Sequence, residues 1–458
     1  MISIYNVIEI IFKTYKYRLE VLKERMIKLN DIDTEKTGLA GRNFLLVVIG
    51  QIISLFGNAI IRFALPLYIL DQSGSAALFG MVSAFSFLPM ILMSPIGGII
   101  ADRVNKQKIM VVLDFLTAAL ILGFILVNGS MDIVVLIIVV MMALYGIQGA
   151  YAPAVQASIP LLIQEDKIMP ANAVINLVNS FSGLLGPVAG GLLYGIYGLT
   201  PIVTIGCICF TFSAVMELFI KIPHVKREKQ SNIFEMVKGD IRESVTYIFD
   251  EKPILTKIIL IVFLFNMAFS SLMIIGLPVI ITQTLGMSSK FYGLTQGLMA
   301  AGGLAGGILA GVLAKKMDMR NAYRILVLCA SCLLPVGISL FIGAPAMISY
   351  IIITIVSFIA MAFATIFTVQ MLSYVQIETP VEIVGKVVST LMAMSMCAQP
   401  IGQAIYGLLF EHMANDQWAI ILVSAGLAFI IALFSKTTFA ELEKEKFVEP
   451  ILQKCIEE

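Results

Sequence analysis

The stretch IVVLIIVVMMALYGIQGAYA, residues 133–152, decides the fold class of this 458-residue chain. It contains no charged residue, and its length matches the roughly 20 residues that an α-helix needs to cross a bilayer. Comparable apolar runs occur at 109–127, 258–281 and 351–367. In lipid only helices and closed barrels satisfy their own backbone hydrogen bonds, and these runs are too long for barrel strands. The sequence therefore predicts an all-α membrane protein.

The composition supports this class and argues against several functions. The chain is 59% hydrophobic and 13% charged, whereas soluble domains have about 25% charged residues. Five of the six cysteines lie in apolar sequence, and we expect Cys329-x-x-Cys332 to pack rather than to bind a metal. The chain has no Gly-rich phosphate loop ending in Lys-Ser/Thr, so nothing indicates ATP hydrolysis. We expect no enzymatic activity, cofactor, metal site or nucleic-acid partner.

Twelve apolar spans are predicted, with Gly, Pro, Asn and charged residues between them. The spans are 44–70, 76–100, 108–128, 132–153, 172–196, 200–221, 258–283, 291–314, 323–342, 346–374, 383–410 and 416–436.

The 31 Lys and Arg residues are divided unequally between the two sides of these spans. If the N-terminus is inside, 29 of them fall in the two tails and in the loops after spans 2, 4, 6, 8 and 10. Arg62 lies within span 1, and only Lys290 falls outside. Because cytoplasmic loops carry an excess of Lys and Arg, we predict that both termini are cytoplasmic and that the protein lies in the cytoplasmic membrane.

Three motifs recur at one constant distance of 213 residues. Phe79-Gly80 recurs as Tyr292-Gly293, Gly98-Ile-Ile-Ala101 as Gly311-Val-Leu-Ala314, and Pro187 as Pro400. A constant offset predicts two six-helix repeats, with a substrate site between them near the midplane. The predicted parts are a basic amphipathic N-terminal tail, a first bundle, a cytoplasmic linker with an amphipathic helix, a second bundle and a cytoplasmic C-terminal tail. Their bounds are 1–43, 44–221, 222–257, 258–437 and 438–458.

The joint after span 2 reads GIIADRVNKQK, from Gly98 to Lys108. It resembles the cytoplasmic loop motif Gly-x-x-x-Asp-Arg-x-Gly-Arg-Arg of the major facilitator superfamily, with Asn105, Lys106 and Gln107 in place of its second Gly and its two Arg. Glycine permits close helix approach, and a carboxylate suits the N-terminus of a neighbouring helix, which in this family is span 11. The resemblance implies the major facilitator fold and a gating role for four residues: Gly98, Asp102, Arg103 and Lys106.

Span 5 contains a second motif, GPVAGG, from Gly186 to Gly191. It resembles the antiporter motif of the same superfamily, Gly-x8-Gly-x3-Gly-Pro-x2-Gly-Gly, with Ala173 and Ser182 at its first two glycines. The resemblance implies an exporter and a structural role for Gly186, Pro187, Gly190 and Gly191. Physically, proline kinks a helix and glycine lets another helix lie close. Ordinary Gly and Pro enrichment in membrane helices is the alternative interpretation.

Other segments resemble one branch of this superfamily. Span 1 contains GQIISLFG, from Gly50 to Gly57, followed by Phe63-Ala-Leu-Pro66 and Ser73-Gly74-Ser75, and these segments resemble macrolide-efflux transporters. Drug–proton antiporters of the superfamily have Arg-x-x-Gln-Gly in span 4. Here Gln148 and Gly149 are present but Tyr145 stands at the Arg position, so the sequence departs from the proton-coupled antiporters at this residue.

Polar residues inside the spans are candidates for the substrate site, because such groups are costly in lipid. Gln51, Ser54, Asn58 and Arg62 are spaced to share one face of span 1. Arg62 can bind an acidic substrate or pair with Glu411, or it can reach the lipid headgroups about 12 Å away. The predicted substrate-binding residues are Gln51, Asn58, Arg62, Gln148, Asn266, Gln296, Gln399 and Gln403. Each alternatively bonds two helices together.

Asp114 and Glu217 are the carboxylates that lie within spans and away from their ends. Burial among apolar groups favours the neutral form of a carboxyl group, so both are candidates for proton coupling. Structural pairing is the alternative, with Asp114 bonded to a loop Arg or Lys and Glu217 to Lys221.

We therefore expect a monomeric secondary active transporter, in contact with membrane lipids, that exports amphipathic small molecules such as macrolide-like drugs. Alternating access and protons as the coupling ion are expected. A lysophospholipid, siderophore or metabolite transporter of the same fold is an alternative. A non-transporting receptor or assembly partner is another, and only the basic N-terminal tail supports it.

Overall fold

The computed structural model describes residues 38–223, 239, 242–313, 321–380 and 383–457, with side chains except at 102, 165 and 440–457. The described chain is built from helices. The first six are α1 (Arg42–Ser73), α2 (Ala76–Arg103), α3 (Lys106–Val127), α4 (Ile133–Leu162), α5 (Ile168–Tyr197) and α6 (Leu199–Leu218). The others are α7 (Pro253–Thr284), α8 (Ser289–Leu313), α9 (Ala322–Phe341), α10 (Ala346–Glu378), α11 (Val384–Met396), α12 (Ala398–His412) and α13 (Gln417–Glu457).

Eleven of the described helices are long and apolar enough to cross a membrane. The predicted span 383–410 is divided into α11 and α12, which follow one another with only Cys397 between them. Pro400 explains the break, because proline has no N–H to donate to the carbonyl of Met396 one turn earlier. Together α11 and α12 correspond to the eleventh predicted span.

Local sequence sets the starts of three helices. The Ser75 hydroxyl accepts a hydrogen bond from the Leu78 N–H at 3.1 Å and begins α2. Asn105 and Asp132 likewise accept from the backbone N–H groups of Gln107 and Val134, both at 2.9 Å, and begin α3 and α4. Side chains of these types satisfy N–H groups that the first turn of a helix leaves unpaired.

Helix α7 is not a regular α-helix along its length. Two α-helical parts, Pro253–Phe265 and Ser271–Pro278, alternate with π-helical turns at Asn266–Ser270 and Val279–Thr284. The first π turn lies near the middle of the membrane-spanning segment, where the hydroxyl of Ser271 donates to the Gln399 carbonyl of α12 at 3.2 Å. Single π turns widen a helix locally and are frequent at functional sites.

The helices pack in the same pattern twice. The contacts of α2 with α4, α3 with α6 and α1 with α5 in the first half correspond to those of α8 with α10, α9 with α13 and α7 with α12 in the second. The two halves meet where α2 packs on α12 and where α8 packs on α5, which are also corresponding pairs. This is the architecture of two six-helix repeats.

Large apolar side chains also cover the outside of the helices. Leu92, Leu126, Ile308 and Val312 are each about two thirds or more exposed, and many similar residues lie around them. A soluble monomer seldom exposes such an apolar surface, but lipid tails cover it in a bilayer. The protein is therefore a multi-pass membrane protein.

At one end of the bundle, glycines bring the two halves into backbone contact. A Cβ atom added at Gly80 of α2 would lie 2.8 Å from the Cα of Gly407 in α12, and one added at Gly191 of α5 would lie 2.7 Å from the Cα of Gly293 in α8. We call this end, at which α1 ends and α2 begins, the closed end. At the opposite end, α11 packs mainly against α7, α10 and α12 of its own half.

The predicted tails and linker are described only in part. Helix α13 continues past the predicted boundary at 437 and ends at Glu457. Residues 242–246 of the linker are helical, and Tyr247–Glu251 is a π-helical turn. Residues 1–37, 224–238 and 240–241 lie outside the described chain, so the predicted amphipathic helices there stay predictions.

Candidate functional site

A cavity of about 430 Å³ lies between the two halves, next to the closed end. Helices α1, α2, α4, α5, α7, α8 and α12 contribute to its wall. Its surface is mainly apolar, with side chains such as Leu55, Phe87, Met141 and Ile274. A largely apolar cavity of this size with a few polar groups is typical of sites for drug-sized ligands.

Arg62 of α1 projects into this cavity and stacks on an aromatic ring. Its guanidinium carbon lies 3.4 Å from the ring centroid of Tyr145 in α4, in a cation–π contact. Phe87 of α2 packs edge-on against the same ring at a centroid distance of 5.5 Å. Tyr145 stands where the resembled motif has Arg, so α1 brings a cation to the residue at that position.

The predicted pairing of Arg62 with Glu411 is not present. A carboxylate oxygen of Glu411 instead accepts a hydrogen bond from the Ala77 N–H, 3.3 Å away, in the first turn of α2. A carboxylate is favoured at this position because the helix N-terminus carries partial positive charge. Within the described chain, Arg62 makes no ion pair with a carboxylate, and it lines the cavity rather than reaching towards headgroups.

Amide and aromatic groups complete the cavity wall. The Asn58 amide donates to the Gln148 side-chain oxygen at 3.2 Å, and the Gln296 amide donates to the Tyr292 hydroxyl at 2.7 Å. The ring of Tyr292 stacks on Phe63 with centroids 5.0 Å apart, which joins α8 to α1 across the two halves. The side-chain oxygens of Asn58 and Gln403 are buried without a hydrogen-bond partner among the described residues.

The predicted substrate-binding residues are therefore separated into two groups. Six of them line the cavity: Asn58, Arg62, Gln148, Gln296, Gln399 and Gln403. Gln51 and Asn266 do not. Asn266 accepts from the Ser270 hydroxyl within the π turn of α7, at 2.9 Å, and Gln51 belongs to a second polar site.

The second polar site is a buried carboxyl pair enclosed by α1, α3, α4 and α6. Asp114 and Glu217 are 2% and 0% exposed. The Ser54 hydroxyl donates to Asp114 at 3.1 Å, and the Tyr151 hydroxyl donates to Glu217 at 2.6 Å. The two carboxyl groups are close enough to interact electrostatically. One oxygen of each has no hydrogen-bond partner among the described residues.

The predicted structural pairing of Glu217 with Lys221 is wrong. Glu217 points into the bundle and bonds to Tyr151, whereas Lys221 follows the end of α6 and is exposed. Nor does a described Lys or Arg pair with Asp114. Tyr151 was not predicted, although its spacing of three residues from Gln148 places both on one face of α4.

The two polar sites are joined by pairs of residues between α1 and α4. We call these pairs the α1–α4 polar interface, and they are Arg62 with Tyr145, Asn58 with Gln148, and Gln51 with Tyr151. The Gln51 amide donates to the Tyr151 hydroxyl at 2.6 Å, and Tyr151 donates in turn to Glu217. Because Gln51 and Arg62 are eleven residues apart on one helix, the interface extends about 16 Å from the carboxyl pair to the cavity.

The gating motif is placed differently from the prediction in one respect. A Cβ atom added at Gly98 would meet nothing within 4 Å, whereas one added at Gly97 would lie 2.5 Å from the Cα of Ala150. Gly97 is thus the close contact of α2 with α4, since a rotation of 100° per residue turns Gly98 away from it. Arg103 is exposed and Lys106 is buried. The side chain of Asp102 and residues 381–382 lie outside the described part, so their contact stays a prediction.

The glycines of the antiporter motif lie at helix contacts. A Cβ atom at Gly186 would collide with Ala59, and one at Gly190 would lie 3.0 Å from the ring of Phe63, so both glycines face α1. Gly191 faces Gly293 of α8, and Pro187 lines the cavity. These residues therefore determine how closely α5 approaches α1 and the second half.

Comparisons with known proteins agree with this architecture. Macrolide efflux protein A of Streptococcus pyogenes is 28% identical over 183 residues, which is 40% of this chain and 45% of that protein. Multidrug resistance protein MdtG of Escherichia coli is 28% identical over 220 residues, or 47% of this chain and 52% of that protein. The chain thus matches about half the length of these relatives.

Solved structures share the fold at low identity. The nucleoside transporter NupG superposes with a TM-score of 0.67 at 12% identity, covering 87% of this chain and 99% of that one. A bacterial homologue of the human lysosomal transporter Spinster, in an inward-facing and unoccupied conformation, gives 0.66 at 13% identity over 87% and 97%. The sequence profile of the Major Facilitator Superfamily matches residues 47–402. The chain therefore belongs to the Major Facilitator Superfamily.

Proposed function

We propose that this protein is a secondary active transporter that exports amphipathic small molecules through the cavity by alternating access. The single observation that carries the proposal is the α1–α4 polar interface, because it connects a ligand-sized cavity to a buried carboxyl pair. The partial matches to a macrolide efflux protein and a multidrug resistance protein agree with export. The family supports transport rather than catalysis.

The conformation of the molecule agrees with one step of an alternating-access cycle. The halves touch at the closed end through Gly80 with Gly407 and Gly191 with Gly293. The cation distribution predicts that this end faces outwards, since Lys290 is the sole Lys or Arg of the sequence on that side. We propose that in this orientation the cavity opens towards the cytoplasm. Export then requires the closed end to separate while the opposite end closes.

The carboxyl pair is proposed as the proton site. Two buried carboxylates side by side are costly without a positive partner, and a proton is the smallest partner that the enclosed site can accept. Arrival of a proton at Asp114 or Glu217 changes the hydrogen bonds that Ser54 and Tyr151 donate. Because Tyr151 bonds to Gln51 on the helix that carries Asn58 and Arg62, this change reaches the cavity wall through α1.

The test is gradient-driven transport in proteoliposomes with an imposed pH difference, using dyes and a macrolide panel. Asp114→Asn and Glu217→Gln are expected to abolish accumulation against a gradient, while binding and downhill exchange persist. The matched control is Asp132→Asn, because Asp132 is exposed at the start of α4 and Asn caps a helix equally well. Unchanged accumulation in both carboxyl variants would remove them as proton sites.

A second measurement tests the resembled gating motif. Asp102→Asn is expected to lower transport because the motif is proposed to bring α2 to the start of α11 when the opposite end closes. Extrusion of the dye and macrolide panel from cells, with and without a protonophore, gives the readout. Extrusion that a protonophore does not affect would contradict proton coupling, even if Asp102→Asn lowers it.

A further inference from the structure

The charge of the cavity wall indicates which class of substrate binds most tightly. Among the described residues that line it, Arg62 is the single charged side chain, and they include no Asp or Glu. The acidic side chains that lie nearest in sequence to the lining residues do not face the cavity. Asp71 lies at the closed end beside Tyr194 and Ser289, Glu411 accepts a hydrogen bond from the first turn of α2, and the Asp114–Glu217 pair is enclosed within the first half. The described cavity wall therefore carries a net positive charge.

The guanidinium group of Arg62 is held in place but not neutralised. The Tyr145 ring covers one of its faces at 3.4 Å, and Phe87 supports that ring from the side. Its N–H groups form no hydrogen bond with the described residues, and none of its nitrogen atoms is fully buried. A cation inside a membrane protein normally has a partner, so the free edge of this group is a site for an anion. A guanidinium edge binds a carboxylate or phosphate through two parallel hydrogen bonds.

The rest of the wall is suited to the remainder of such a ligand. Apolar and aromatic side chains, including Leu55, Phe63, Met141 and Ile274, surround most of the space. The amide side chains of Asn58, Gln399 and Gln403 add neutral polar groups to the same wall. The geometry points to an amphipathic organic anion as the preferred substrate, with Arg62 and Tyr145 as its charge-binding residues.

This inference rests on the proposed substrate cavity and narrows its substrate class. Drugs whose apolar body carries a basic amine are expected to bind less well, because Arg62 repels the ammonium group and no carboxylate in the wall compensates. Neutral compounds are expected to bind with an affinity between those of the organic anions and of the amines. The anion-binding chemistry is shared by single-chain lipids with anionic headgroups and by soluble organic acids.

The test measures equilibrium binding to the purified full-length protein in nanodiscs, so it does not depend on transport. The probes are dansylaminoundecanoate and dansylaminoundecylamine, which share a fluorophore and chain and differ in the sign of the terminal charge. The wild-type protein is expected to bind the carboxylate about tenfold more tightly than the amine, a ratio that corresponds to about 1.4 kcal/mol. Equal binding of the two probes, or tighter binding of the amine, overturns the inference without any variant.

Variants then assign the preference to one side chain. Arg62→Gln is expected to reduce the tenfold preference to about none, and Arg62→Lys to keep part of it, because the charge remains but the planar stacked group is lost. Tyr145→Leu is expected to weaken the carboxylate probe alone. The matched control is Arg324→Gln, since Arg324 also lies over a tyrosine ring, Tyr323, but on the exposed surface of α9. A preference that survives in folded Arg62→Gln overturns the assignment.

Competition identifies the source of the anion. Displacement of the carboxylate probe by lysophosphatidylglycerol indicates an anionic lipid, and displacement by naphthoate indicates a soluble organic acid; either supports the inference. Displacement by zwitterionic lysophosphatidylcholine with equal potency contradicts it. If the protein prefers the anion but the pH gradient drives no transport, the proposed transport function fails while the binding inference stands.

Discussion

The two halves of this molecule share one helix arrangement but differ in what lies between their helices. The 213-residue offset aligns α1 to α6 with α7 to α13, yet the polar groups of the first half have mostly apolar counterparts. Gln51, Arg62, Asp114, Tyr151 and Glu217 correspond to Leu264, Ile275, Val327, Ala364 and Ile430. The helix arrangement is thus repeated in the second half, but these polar and charged side chains are not. We infer that ligand charge recognition and proton coupling belong to the first half.

The second half also differs from the first in its backbone. Its first helix, α7, contains two π turns, whereas α1 is α-helical from Arg42 to Ser73. Its described buried hydrogen bonds include several between neutral groups, such as the Thr295 and Thr354 hydroxyls 2.9 Å apart. Neutral hydrogen bonds hold helices together without responding to protons. We propose that the second half is the more deformable of the two halves during transport.

The largest expected effect comes from the glycines that the halves share at the closed end. Gly80→Ala and Gly293→Ala each place a Cβ within 2.6–2.7 Å of a backbone oxygen of the other half. Overpacking of this kind costs about 1–3 kcal/mol, which shifts the closed end towards separation by roughly 5- to 150-fold. Spin-label distances across the closed end, between α2 and α12, measure the shift.

Both glycine variants are expected to act alike, because the two crossings are related by the repeat. Gly123→Ala in α3 is the control, since a Cβ there meets nothing within 4 Å. A large separation for one variant and none for the other would show that the halves do not close symmetrically.

An intermediate effect distinguishes the two halves by their chemistry. Tyr151→Phe removes the donor to Glu217, and Tyr406→Phe removes a comparable buried donor in the second half, which bonds to the Ala268 carbonyl at 2.6 Å. Each loss of a buried hydrogen bond is expected to cost about 1–3 kcal/mol of stability. Only Tyr151→Phe is expected to change the pH dependence of transport.

Initial rates of transport across a series of pH values, with thermal unfolding measured in parallel, separate the two contributions. If Tyr406→Phe shifts the pH profile as far as Tyr151→Phe does, the assignment of coupling to the first half is wrong.

The smallest effect is expected at the glycines that face no neighbour. Gly98 and its counterpart Gly311 have open space where a Cβ would lie. Alanine at either position is expected to stabilise this state by about 0.4–1 kcal/mol, because the unfolded chain loses freedom. Thermal stability in detergent measures this gain. If Gly98→Ala abolishes transport without lowering stability, α2 must use Gly98 for a close contact in the conformation in which the opposite end closes.

The sequence alone determined the membrane class, the positions of eleven of the twelve predicted spans, the repeat and the family. These features are local or periodic: a run of apolar residues spans lipid whatever its neighbours are, and the 213-residue offset is visible without coordinates. The glycine and proline motif from Gly186 to Gly191 could likewise be recognised from its spacing.

Only the tertiary structure decided which polar groups meet. Gln51 and Tyr151 are 100 residues apart, and Tyr151 and Glu217 are 66 apart, so their contacts depend on how α1, α4 and α6 pack. Sequence reasoning paired Glu217 with nearby Lys221, and Arg62 with Glu411, because opposite charges attract. It also chose Gly98 where Gly97 makes the contact, since a rotation of 100° per residue separates adjacent positions on a helix. The faces that helices present to one another are set by the whole bundle, and no single span specifies them.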